Sequence, residues 1–221
     1  MEARKKSRRK KLLIWLGVDL LIAALVIILL LHKPSRYHPI VPAHADPNVQ
    51  QIHPYLHRDL WSRFYNSAQR QRPFEMVVLD QSLNEAIGRL KWPQESGGII
   101  LSAPQVRFVP GRIVLMGTAS LEGAEFVLTI ELGPQMDDQG RLNLLVETIK
   151  VGAVPVTLVA KPMARRMYRE RLESADVDLE DLRTKIAASL FAEEPFAPVL
   201  KIEDKWIRLK SFALTDGKLV A

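Results

Sequence analysis

Residues 104–151, PQVRFVPGRIVLMGTASLEGAEFVLTIELGPQMDDQGRLNLLVETIKV, decide the fold. Turn residues punctuate the stretch at Pro110-Gly111, Glu122-Gly123 and Asp137-Asp138-Gln139-Gly140. Proline presets φ and glycine accepts positive φ, so each cluster reverses the chain between apolar runs. Within 125–132, Phe126, Leu128, Ile130 and Leu132 alternate with Glu125, Val127, Thr129 and Glu131. Neighbouring side chains on a strand point to opposite faces, so this spacing predicts one apolar and one half-polar face. The expected product is a meander of long antiparallel strands through Val106–Val109, Arg112–Leu121 and 125–132. Gly117 should mark a bulge or bend in it.

Helical spacing appears on both flanks. Leu56, Leu60, Phe64 and Ala68 recur every four residues, with Trp61 and Tyr65 alongside, which predicts an amphipathic helix over 56–69. A short strand over Phe74, Met76 and Val78 follows. Ser82-Leu83-Asn84-Glu85 fits a capping box opening a helix over about 81–91, which Pro93 and Gly97-Gly98 close. Downstream, Val159, Met163 and Met167 predict a helix over 153–173, started or kinked at Pro162. Leu179, Leu182, Ile186 and Leu190 predict another over 178–191. Strands return at Val199–Ile202 and Trp206–Leu214, and Thr215-Asp216-Gly217-Lys218 turns the chain into Leu219–Val220. The expected fold class is α+β: a curved antiparallel meander sheet with helices packed on one face.

The chain has 221 residues, no cysteine, and a net charge of +6. Residues 1–11 carry that whole excess, with seven bases against Glu2. Residues 12–33 balance, and 34–221 hold 23 of the 31 bases and 23 of the 25 acids. A neutral domain offers phosphates no electrostatic footprint, so nucleic acid is not an expected partner.

Residues 12–31, LLIWLGVDLLIAALVIILLL, contain one charge and no proline. Twenty residues at about 1.5 Å each match the roughly 30 Å hydrocarbon core, which predicts a transmembrane helix. A cleaved signal peptide is the competing reading, but its apolar region runs only about 7–15 residues. The preceding bases predict a cytoplasmic N-terminus and an extracytoplasmic remainder, hence a single-pass protein of the plasma (inner) membrane. Asp19 is either a contact for a partner helix, through an envelope protein, or an acid tolerated near the interface. The expected organisation is a basic cytoplasmic tail (1–11), the helix (12–31), a Pro- and His-containing linker (32–55) and an extracytoplasmic α+β domain (56–221).

The linker holds Pro34, Pro39, Pro42, Pro47 and Pro54, a composition that predicts a semi-rigid, extended spacer. All five histidines, His32, His38, His44, His53 and His57, lie in or beside it. Their spacing is irregular and lacks a carboxylate cluster, so no metal is expected. Residues 58–221 contain neither His nor Cys, which removes Ser-His-Asp triads, Cys-His pairs and His-ligated zinc from the domain. No GxSxG, P-loop or GxGxxG motif is present. An enzyme built on carboxylates alone is the residual alternative to a non-catalytic protein without cofactors.

Three pieces in this order carry a resemblance: Phe74–Leu90 with Leu83-Asn84, the meander through VETIKVGAVPV, and the closing LTDGKLVA. Over about residues 74–221 they resemble the bacterial membrane-anchored or secreted proteins of the YpmS and LmeA type. The resemblance implies a tubular-lipid-protein-like fold in the cell envelope, with an apolar groove for acyl chains and no catalytic residues. In this chain Ile113, Leu115, Phe126, Leu128, Ile130 and Leu132 would line the groove opposite Met163 and Met167, or else form an ordinary packed core. Arg165, Arg166, Arg169 and Arg171 would meet head groups, or else form a solvated helix face. Binding of membrane lipid or another amphiphile is the expected function. A bitopic scaffold of an envelope assembly, with no small ligand, is the alternative.

Overall fold

The meander forms where its turn residues place it. The computed structural model describes residues 2–40, 60–70, 72–90, 92–96, 98–174 and 178–221, with the side chains of α1 described from Ile14 onward. In chain order the elements begin with α1 (Glu2–Leu30), α2 (Ser62–Gln69), β1 (Val77–Leu79), α3 (Asp80–Gly88) and β2 (Gln94–Ser96). The long strands follow as β3 (Ile99–Val109), β4 (Arg112–Leu121), β5 (Ala124–Met136) and β6 (Leu142–Val151). Then come β7 (Val154–Pro155), α4 (Thr157–Ser174) and α5 (Leu182–Ala192). The chain ends with β8 (Val199–Ile202), β9 (Lys205–Arg208), β10 (Ala213–Thr215) and β11 (Lys218–Val220).

Strands β2 to β7 form one six-stranded antiparallel sheet in sequence order. Its register sorts the side chains into rows. Leu115 pairs with Ile130 and Ile130 with Ile149, while Met116 pairs with Thr129 and Thr129 with Lys150. The first row belongs to the apolar face, the second to the polar one. Gly117 pairs regularly with Leu128, and the irregularity lies opposite it in β3, between Ser102 and Gln105. Without a side chain there, the bulged backbone approaches, with the Ser102 carbonyl oxygen 3.6 Å from where a Cβ would stand. A second bulge between Glu131 and Leu132 shifts the β5–β6 register.

The helices sit at the sheet's edges, which corrects the expectation that they cover one face. α3 packs beside β3, whereas α4 and α5 pack beside β6. The cause is unpaired backbone. β2 pairs with β3 only at Ile99–Leu101, leaving the edge of 105–109 open. Asn84 of α3 closes it twice, donating to the Val106 carbonyl and accepting from the Val106 N–H, both at 2.7 Å. Asp80 accepts from the Phe108 N–H at 3.3 Å, and the Phe108 carbonyl accepts from Gly217. Buried backbone groups demand such partners, and a side-chain amide offers both donor and acceptor. α3 therefore begins at Asp80, where the Gly217 carbonyl receives the Asp80 N–H, rather than at the capping-box Ser82. At the opposite edge, Thr157 exchanges hydrogen bonds with both backbone groups of Ile149, and the fully buried Ser189 accepts from the Leu144 N–H at 2.7 Å.

The N-terminal helix forms, but its expected role is corrected. Among the described residues no helix is long and apolar enough to cross a membrane. The transmembrane assignment of 12–31 falls on this finding. With it fall the single-pass plasma-membrane location, the cytoplasmic N-terminus and the extracytoplasmic, cell-envelope placement of the domain. Nothing in the fold identifies membrane lipid as a ligand or a bacterial source. Asp19 is exposed on this helix.

The C-terminal end of α1 abuts the β6–β7 turn. Ala153 donates its N–H to the Leu29 carbonyl at 2.8 Å. Gly152 holds φ at +58°, and a Cβ there would collide with the Leu29 and Leu30 carbonyls. Residues 32–40, expected as part of a semi-rigid, extended spacer, instead cross the polar face of the sheet as a strap. Linker residues 41–55, His44, His53 and His57, and the expected helix start over 56–59 lie outside the described residues.

Candidate functional site

The sheet presents two different surfaces. On the apolar face the rows are Phe108–Ile113–Leu132–Val146, Val106–Leu115–Ile130–Ile149 and Gly117–Leu128–Val151, with Ala119–Phe126 beyond. Burial falls off along this series. Phe108, Leu132 and Val146 are 3–8% exposed, while Leu115, Ile130, Leu128 and Phe126 are only part-buried. At the far end Leu101 and Leu121 are exposed. A closed floor thus opens into a part-exposed apolar surface, because the described helices engage the outer strands β3 and β6.

The expected groove residues divide accordingly. Ile113, Leu115, Phe126, Leu128, Ile130 and Leu132 share this face. Met163 and Met167 are 59% and 65% exposed on α4, whose neighbours are β6 and α5. Their stripe, together with exposed Leu158 and Val159, is a separate apolar surface. Two of the arginines expected at head groups are in ion pairs. Arg165 lies 3.7 Å from Glu193 and Arg166 2.7 Å from Glu170, while Arg169 and Arg171 are exposed. Lys161 reaches the same Glu193 at 2.6 Å, and its hydrogen bond holds that carboxyl below the usual carboxylate range.

The polar face is held by charge and by the strap. Glu131, with its side chain 17% exposed, pairs with Lys150 at 2.8 Å and with Arg112 at 3.6 Å. Arg112 also pairs with Glu147 at 2.8 Å, and Glu147 occupies the space left by Gly133. The strap is pinned at its middle. The Tyr37 hydroxyl donates to the Ala103 carbonyl at 2.7 Å and sits 2.8 Å from the Thr118 hydroxyl, which then donates to it. Burial pushes the Tyr37 phenol above its ordinary pKa. The His38 N–H donates to Gln105 Oε1 at 2.8 Å, and the Ile40 carbonyl rests against Gly88. The positive φ of Ala103, in the bulge, presents its carbonyl to Tyr37.

Between strap and sheet lies a cavity of about 330 Å³. Arg36 and His32 border it from the strap, and Arg107, Thr129, Glu131 and Lys150 from the sheet. Sequence reasoning passed over these residues. The alternation in β5 marked Thr129 and Glu131 as polar-face residues, but nothing local says that 32–40 fold back over them. Among the described residues no group of three or more His, Asp or Glu side chains is placed to hold a metal ion. No protein-family model, curated protein or solved structure matches this chain, so the resemblance to the YpmS and LmeA type carries no family assignment.

Proposed function

We propose that the chain binds an amphiphile without chemical turnover, seating its apolar portion on the open end of the sheet's apolar face. One observation supports the reading above others: Leu115, Phe126, Leu128 and Ile130 form a contiguous apolar surface that stays part-exposed in a sheet whose described helices sit beside its outer strands. Apolar area removed from water stabilises a complex by about 25 cal/mol per Å², so such a surface favours an apolar ligand over water. Residues 58–221 supply no His or Cys for nucleophilic or metal-assisted chemistry, consistent with binding rather than catalysis.

The test uses the full chain and a fluorescent fatty-acid analogue. The wild type should bind the probe, and Phe126→Glu should weaken binding at least tenfold while lowering the thermal midpoint by only a few degrees, as a loss of about 1 kcal/mol does. Probe binding that ignores Phe126→Glu, or a wild type that binds none, overturns the reading. An interaction protein with no small ligand would then stand, favoured by the exposed Leu158, Val159, Met163 and Met167 stripe of α4.

A further inference from the structure

The cavity under the strap lies on the face opposite the apolar surface, so its use is independent of amphiphile binding. Three of its bordering groups are cations brought from separate elements: Arg36 from the strap, Arg107 from β3 and Lys150 from β6. Glu131 is the acid among them, and it is already matched by Lys150 and Arg112. Arg36 makes no ion pair among the described residues. The ion pair of Arg107 is loose, 3.9 Å from an Asp216 side chain that is 82% exposed. The balance facing the cavity is positive.

A second observation is of a different kind. Thr129 is 6% exposed, borders the cavity, and its hydroxyl has no hydrogen-bond partner among the described residues. A buried hydroxyl without a partner is costly, and folds rarely retain one unless something outside the chain completes it. Its row neighbours Met116 and Lys150 offer a thioether wall and an ammonium already given to Glu131. The hydroxyl itself has almost no surface open to the cavity, so an acceptor there meets it only when the Thr129 side chain turns toward that cavity.

We infer that this cavity binds a phosphate-type oxyanion, with the Arg36 and Arg107 guanidiniums and the Thr129 hydroxyl as its donors. Guanidinium forks match the spacing of phosphate oxygens, and the hydroxyl adds a neutral donor at the dry end. A volume of about 330 Å³ exceeds one phosphate and leaves room for a small ester substituent beside Val114 and Met116. Inorganic phosphate and a phosphate monoester share the chemistry, and the experiment separates them.

The full chain is titrated calorimetrically with inorganic phosphate and, separately, with glycerol 3-phosphate, against chloride at matched ionic strength. Binding of either is expected, and the tighter of the two identifies the source. Arg107→Ala should weaken it about tenfold or more, as loss of a charge-assisted hydrogen bond does. Thr129→Val keeps the shape of the side chain and should weaken binding several-fold, yet leave the unliganded chain at least as heat-stable as the wild type. Failure of both anions to bind the wild type overturns the inference. So does binding that neither substitution changes. If Thr129→Val lowers the unliganded thermal midpoint, the hydroxyl has a partner in the fold and the inference falls as well.

Discussion

The two faces of the six-stranded sheet are made by the same strands and alternate residue by residue, yet they are completed in opposite ways. The apolar face has a buried floor at Phe108, Leu132 and Val146 and opens toward Phe126, Leu101 and Leu121. The polar face is bridged from β6 to β3 by residues 32–40, held through Tyr37 and His38. The difference teaches where each kind of surface finds its partner. Apolar side chains can stay part-exposed without a fixed partner, because their contacts are non-directional. Buried carboxylates and hydroxyls need partners at fixed distances, and the chain supplies most of them itself.

The largest expected effect tests the gradient along the apolar face. Phe108→Ala should cost about 3–5 kcal/mol of unfolding free energy, as large-to-small changes in a closed core do. Phe126→Ala, at the open end, should cost about 1 kcal/mol. Urea unfolding of the two variants measures the contrast. Equal losses would mean that the open end is packed as tightly as the floor, and the two-part description of that face would break.

On the polar face, Tyr37→Phe removes the hydrogen bonds to Ala103 and Thr118 and should cost about 1–2 kcal/mol. Hydrogen exchange should show the loss locally, as faster exchange over 32–40 with the β4 and β5 amides little changed. Unchanged exchange in the strap would show that Tyr37 does not hold it.

The smallest effect belongs to neither face. Glu193, at the end of α5, is depressed first by its hydrogen bond to Lys161, and nearby Arg165 adds to the attraction. A carboxyl lowered in the folded state adds stability that is fully present above its ordinary value near 4.5 and is lost as pH falls through the lowered one. With the side chain 35% exposed, solvent screening keeps this below about 1 kcal/mol. Glu193→Gln should flatten that part of the acid limb in a pH series of thermal midpoints. An unaltered limb would remove the α4–α5 ion pair as a contributor.

Much of the meander was legible because its signals are local. Pro110-Gly111, Glu122-Gly123 and the 137–140 cluster set the turns, and the alternation over 125–132 set which residues share a face. The closing turn at 215–218 was equally plain. Short elements were harder to read. β2 and β7 have only 3 and 2 residues, too few to show a period, and exist because β3 and β6 pair with them. The start of α3 depends on the Gly217 carbonyl, more than a hundred residues away.

For the candidate sites, composition alone removed histidine and cysteine chemistry from residues 58–221, and periodicity alone placed Leu115, Phe126, Leu128 and Ile130 on one face. Hydropathy alone also pointed to a membrane-spanning helix, an assignment that the described part of α1 does not carry. Only tertiary structure decided that the helices take the edges, that Met163 and Met167 stay away from the apolar rows, and that 32–40 roof a cationic cavity over Thr129. The physical reason is range. Turn dihedrals and side-chain alternation are set within a few residues, whereas the partner of a backbone edge or a buried hydroxyl is chosen by whatever the whole chain brings within hydrogen-bonding distance.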